Sequence, residues 1–148
     1  MDFNTNITRL LRGEEGEKLY EYKDHLGYST IGVGRLIDKR KGGGITSEES
    51  AYLLGNDILK RLTELDLKLP WIKRLDDARR GVLLSMAFQM GVDGLLAFKN
   101  TLEMVRTGRY ADAANGMLNS LWARQTPQRA QRHAVQMRTG VWVIKDGF

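Results

Sequence analysis

The feature that most constrains this chain is a change of hydrophobic period at residues 12–35. Before it, Ile7, Leu10 and Leu11 recur at i, i+3, i+4, one face of a short helix, with residues 4–6 as cap candidates. Gly13 and Gly16 limit that helix. After them Tyr20, Tyr22, Tyr28, Thr30 and Val33 favour strands, broken by a turn at 23–27 (KDHLG). A small twisted antiparallel sheet must therefore follow the helix directly. Two carboxylates lie within the stretch, Glu15 at the helix end and Asp24 at the turn.

The later sequence is helical. Residues 38–44 (DKRKGGG) form the only linker-like run, and are expected to be flexible. Thr46 and Glu49 make a capping box for a helix reaching 66, with Leu54, Ile58, Leu62 and Leu65 along one face. About twenty residues at 1.5 Å each give a rod of roughly 30 Å, and Pro70 lies just beyond it. Asp76 or Asp77 caps a helix through 90, closed by Gly91. Further helices are expected over 95–106, 110–121 and 128–137, with a final turn around Trp142. Pro127 suits a first helical turn.

Composition narrows the chemistry. Among 148 residues there is no cysteine, which excludes disulfides and a thiol nucleophile. With only His25 and His133 as histidines, a structural zinc site is not expected, and no cofactor is implied. The net charge of +5 is lopsided: residues 1–67 hold 10 basic and 12 acidic groups, residues 68–148 hold 13 and 6. The basic half suits an anionic partner. The arginines at 124–132 lack interleaved aromatics, so no nucleic-acid partner is expected. The most apolar run, 82–90, is about half of the roughly 20 residues a membrane span needs, so no membrane insertion is expected. The start (MDFNTNITR) lacks a secretory signal, which leads to an expectation of cytoplasmic accumulation with release by another protein.

Two carboxylates flanking a scissile bond are the parts for glycoside hydrolysis. Glu15 sits at a helix C-terminus, where the dipole works against a carboxylate's charge. Local sequence leaves a second reading open, in which Glu14, Glu15, Glu17 and Glu21 form a solvated acidic face. Asp24 reads equally as turn chemistry, and Thr30 as strand propensity. Residues 27–34 (GYSTIGVG) lack the third glycine and the βαβ setting of a phosphate loop. His25 has no serine elbow to complete a triad.

Many separated blocks in one order resemble the phage-type lysozymes: Glu15-Gly16, Tyr22-Lys23-Asp24, Gly27-Tyr28, TIGVG at 30–34, AFQMG at 87–91, Trp122, QTP at 125–127, Arg129-Ala130 and RTGVW at 138–142. The resemblance implies an α+β, lysozyme-like fold in one domain. A small β-containing lobe (about 13–57) and a helical lobe (1–12 plus 68–148) would be joined by the helix at about 47–66. It implies an endolysin that hydrolyses the β-1,4 bond between N-acetylmuramic acid and N-acetylglucosamine of peptidoglycan. Carried over by motif, Glu15 is the proton donor, and Asp24 with Thr30 positions the attacking water, giving inversion. An inverting pair of carboxyl groups is roughly 6.5–9.5 Å apart. Arg129 would lie near Glu15 and support it, and Leu36, Phe88, Gln89 and Thr101 would line the saccharide cleft. The family also implies a monomer released by a holin, held in the host cytoplasm until it reaches the wall at lysis.

Three alternatives fall within reach. A non-catalytic wall-binding module would lack the acid or the water-holder, and both are present. A lytic transglycosylase needs no water-holding carboxylate. A basic nucleic-acid binder needs a recognition helix that the sequence does not contain. Two departures from the family stand out. Arg35 replaces a histidine after the glycines and is expected to pair with Asp57 on the long helix. Gly116 aligns with a saccharide-contacting asparagine.

Overall fold

A computed structural model describes residues 2–147, Lys41 by its backbone only. Among the described residues there are seven α-helices and a three-stranded antiparallel sheet, the sheet lying between the first and second helices near the N-terminus. This is the α+β, lysozyme-like architecture expected. The chain divides into two compact units, Met1–Leu54 and Gly55–Phe148.

In the first unit, helix α1 spans Phe3–Glu15, its Asp2 cap accepting from Thr5 N at 2.8 Å. None of its residues is buried. It ends because Gly16 takes φ +73°, a conformation a Cβ would resist, while Gly16 N still donates to Arg12 O. Strands β1 (Lys18–Lys23), β2 (Ser29–Gly32) and β3 (Arg35–Leu36) pair in that order. Tyr22 faces Thr30, and Thr30 faces Leu36, so Thr30 occupies the middle of the sheet and is 2% exposed. The register shifts between Lys18 and Tyr22, an irregularity in the edge strand.

The run at 38–44, expected as a linker, carries a short turn and hydrogen bonds of its own. Asp38 caps a 3-10 turn at Lys39–Lys41, and Gly43 N and Gly44 N donate to Asp38 O and Leu36 O. A side chain at Gly43 would collide with Leu36 O at 2.5 Å, while Gly42 and Gly44 have open space but take φ of +70° and +94°. The capping box forms as expected: Thr46 N donates to Glu49 Oε1 at 2.9 Å, and Glu49 N to Thr46 Oγ1 at 3.1 Å. It opens helix α2, Ser47–Lys68, one half-turn longer than the sequence suggests.

The second unit is built on helix α3, Asp77–Leu96, capped by Asp76 through Arg79 N. Gly91 leaves helical geometry at φ +81°, so the helix breaks where expected, but the chain resumes a turn at 92–96. That turn delays α4 to Lys99–Arg106. The segment expected as one helix over 110–121 is two: α5 at Tyr110–Leu118 and α6 at Leu121–Gln125, because Ser120 caps a fresh start by accepting from Ala123 N. Helix α7 spans Pro127–Thr139.

The core packs Leu65, Ile72, Val82, Leu83, Met86 and Leu95 against Leu102, Val105, Met117 and Met137. Each buried aliphatic side chain contributes about 1.5–3 kcal/mol. Small residues on α5 and α7, Ala113, Ala114, Ala130 and Ala134, are all 0% exposed and let those helices approach closely. Arg79 closes α7. Its Nε donates to Met137 O at 2.7 Å and its Nη2 to Arg138 O at 3.1 Å, while the guanidinium lies 3.7 Å over the Tyr110 ring. No helical turn forms at Trp142. Instead the tail is pinned by the buried Gln136, which donates to Ala78 O at 2.7 Å and accepts from Val143 N at 2.9 Å.

No single helix among the described residues is long and apolar enough to cross a membrane.

Candidate functional site

Glu15, Asp24 and Thr30 all belong to the first unit. Glu15 is the last residue of α1 and is exposed. Its carboxylate makes no ion pair or hydrogen bond among the described residues. Of the acidic run, Glu17 pairs with Arg12 at 3.1 Å, and Glu21 accepts from Ser29 Oγ at 2.6 Å and from Lys23 Nζ at 3.2 Å. The Ser29 hydroxyl, then Lys23, holds the Glu21 carboxyl below the usual carboxylate range. Glu15 is thus set apart from those two carboxylates by lacking a partner. Its carboxyl group lies against Gly34, in the turn between β2 and β3: a Cβ at Gly34 would stand 2.8 Å from Glu15 Oε2.

Asp24 shapes the β1–β2 turn. Its Oδ1 accepts from Leu26 N and Tyr28 N, both at 2.9 Å, and its backbone N donates to Tyr28 O at 2.9 Å. The turn reading of Asp24 drawn from sequence is therefore met. One oxygen does turn chemistry, and Oδ2 keeps no protein partner among the described residues. Thr30 Oγ1 donates to Tyr28 O at 3.0 Å, which commits its proton and leaves its lone pairs to accept. Tyr28 links the two, with its N–H on Asp24 and its carbonyl on Thr30.

Arg35 does not pair with Asp57. Its Nη1 meets Glu49 Oε2 at 2.7 Å and Gly44 O at 3.3 Å. Glu49 is the capping-box residue in the first turn of α2, whereas Asp57 lies more than two turns further on. The Arg35 hydrogen bond, then the Thr46 backbone, holds Glu49 at about 2.

Leu36 is half-buried on β3. The remaining expected residues belong to the second unit. Phe88 is 42% exposed and borders a cavity of about 180 Å³ with Asp57, Lys60 and Arg61. Gln89 is exposed, and its Oε1 accepts from the Trp122 indole at 2.9 Å. Thr101 is 6% exposed, with its Oγ1 against the α5 backbone: a Cβ at Gly116 would stand 2.8 Å from it. Arg129 is half-buried on α7 and donates from Nη2 to Ser85 O at 3.0 Å and Ser85 Oγ at 2.8 Å.

Two residues that the motifs did not single out belong to this setting. Ser85 Oγ is 2.7 Å from His133 Nε2. Burial, then Arg129 and Arg132, pushes the His133 imidazole down to about 4. The available signal was helical spacing: Ser85 and Gln89 are four apart on α3, as are Arg129 and His133 on α7. Among the described residues no cluster of three His, Asp or Glu side chains is placed to hold a metal ion.

Comparison with known proteins agrees with the motif resemblance. The phage lysozyme family model matches residues 12–139. A probable T4-type lysozyme of Dictyostelium discoideum is 35% identical over 92% of this chain and 95% of its own length. The endolysin of Salmonella phage P22 is 34% identical over 82% of this chain and 84% of its own. The pre-baseplate central spike protein Gp5 of Enterobacteria phage T4 is 32% identical over 93% of this chain, which corresponds to 28% of that larger protein. The chain belongs to the phage lysozyme family and is a glycoside hydrolase that lyses peptidoglycan.

Proposed function

We propose that the protein hydrolyses the β-1,4 bond between N-acetylmuramic acid and N-acetylglucosamine with inversion at the anomeric carbon. Glu15 gives its proton to the glycosidic oxygen as the bond to the sugar breaks. A water donates one hydrogen bond to Thr30 Oγ1 and one to Asp24 Oδ2, which fixes its oxygen lone pair toward the opposite face of the sugar. As that water attacks, Asp24 takes its proton. The observation that carries this reading is the Asp24–Tyr28–Thr30 linkage. It leaves one carboxylate oxygen and one hydroxyl acceptor unused by the fold.

On the same resemblance, Arg129 serves as the supporting cation, and Leu36, Phe88, Gln89 and Thr101 contact saccharide. The burial of Thr101 makes it the weakest contributor of the four. The role proposed is host cell lysis, a reading favoured by the P22 relative's description as an endolysin. On the family resemblance alone, the protein is a monomer that waits in the host cytoplasm and is released to the wall with a holin's help.

The test is mass analysis of the muropeptides released by wild type and by Glu15→Gln. Hydrolysis gives reducing ends carrying one added water, and the variant should release none. An anhydro product, lighter by one water, would indicate ring closure instead, and release by Glu15→Gln would remove the general acid.

A further inference from the structure

The guanidinium of Arg129 has more donors than partners. Its Nη2 uses both hydrogens on Ser85, one on the backbone oxygen and one on Oγ. Nε and Nη1, with three further N–H groups, have no partner among the described residues. The group is thus clamped at one nitrogen and open along its other edge.

The clamp has a second member. His133 lies one turn beyond Arg129 on α7, and its Nε2 is hydrogen-bonded to the same Ser85 hydroxyl at 2.7 Å. Arg129, Ser85 and His133 therefore close a loop from α7 to α3 and back. The imidazole lies 6.0 Å from the Trp122 ring at a 35° tilt, and its Nδ1 is buried without a partner. An aliphatic residue would pack against Trp122 without stranding a buried nitrogen, so a histidine here is a cost to the fold. What the cost secures is Nε2, the group that fixes the Ser85 hydroxyl. The imidazole is kept neutral and adds no third positive charge beside Arg129 and Arg132.

We infer that Ser85 and His133 are positioning residues for Arg129, fixing its guanidinium so that the Nε and Nη1 edge is held ready for the reaction. This rests on the reading of Arg129 as the supporting cation. Released from Ser85, a long flexible side chain would spread over many rotamers, and a preorganised charge would become a mobile one.

The experiment measures kcat and KM on soluble peptidoglycan fragments for the full chain carrying Ser85→Ala, His133→Leu, His133→Gln, Arg129→Ala and the Ser85→Ala/Arg129→Ala pair. Alanine is the best helix former, so Ser85→Ala should fold, which a thermal melt checks. Ser85→Ala and His133→Leu are expected to lower kcat roughly tenfold with little change in KM. His133→Gln, which keeps a hydrogen-bonding group for Ser85, should recover most of the loss. Ser85→Ala should cost nothing further once Arg129 is alanine, because residues acting through one another are not additive. Wild-type kcat in both Ser85→Ala and His133→Leu beside an impaired Arg129→Ala overturns this proposal alone, and so does full additivity in the pair. Wild-type kcat in Arg129→Ala overturns the supporting role and the proposal together.

Discussion

Gly34 and the carboxyl group of Glu15 occupy adjoining space: a Cβ on Gly34 would stand 2.8 Å from Glu15 Oε2 and 3.1 Å from its Cδ. The turn between β2 and β3 therefore needs glycine twice over, for its φ of +65° and for the carboxylate beside it.

Gly34→Ala should cost about 1–2 kcal/mol for the left-handed backbone. It should also displace the acid, lowering activity roughly 10- to 100-fold. Gly32 separates the two effects. Its φ is +68°, yet nothing lies within 4 Å of its Cβ position. Gly32→Ala should lose comparable stability and keep its activity. Equal activity losses in the two variants, read against their melting temperatures, would show that the Gly34–Glu15 contact does not matter.

Asp24 divides its carboxylate between structure and chemistry, and two substitutions should divide it likewise. Asn keeps an oxygen for Leu26 N and Tyr28 N, so Asp24→Asn should melt near wild type while losing activity at least about 100-fold. Asp24→Ala removes the acceptor as well and should lose about 1–2 kcal/mol in addition. Clearing of peptidoglycan suspensions and thermal melts are the two readouts.

Glu49 holds Arg35 and closes the capping box, so Thr46→Ala should cost about 1 kcal/mol. Because the folded state holds the Glu49 carboxyl at about 2, below its ordinary 4.5, its contribution is complete above 4.5 and is lost as the pH falls between those values. Glu49→Gln should lower Tm at neutral pH, and the difference from wild type should vanish near pH 2. Asp57→Asn should leave Tm unchanged.

His133 gives the opposite kind of group a similar direction. The fold holds the imidazole at about 4 against an ordinary 6.5, so the unfolded chain binds more protons across that window. Stability should be fully present above pH 6.5 and decline as the pH drops toward 4. The loss should be on the order of 2 kcal/mol once partial solvent screening is allowed for. His133→Gln should flatten that part of the stability curve.

Sequence carried the parts of this fold that rest on local chemistry. The period change at 12–35, the Thr46–Glu49 box, the Asp76 cap and the break at Gly91 are each written in neighbouring residues. The errors arose where distant groups decide. Arg35 had several acidic residues of α2 within its reach in sequence terms, and pairs with the one beside Gly44. The run at 38–44 reads as a linker in sequence, and its hydrogen bonds to Leu36 O and Asp38 O are not visible there. Trp142 suggested a turn because nothing local reveals that Gln136 reaches Val143 N. Among the proposed site residues, Glu15 and Asp24 stand in motifs that the sequence shows. The Ser85–His133 contact is in no motif, since it joins residues 48 positions apart on two helices.

The central claim is a water held by Asp24 and Thr30 on the face of the sugar opposite Glu15. It is tested most directly by the anomeric configuration of the newly released reducing end, followed by proton NMR before mutarotation. The account predicts that the α-anomer appears first. Initial appearance of the β-anomer would mean net retention, and would contradict the placement of that water.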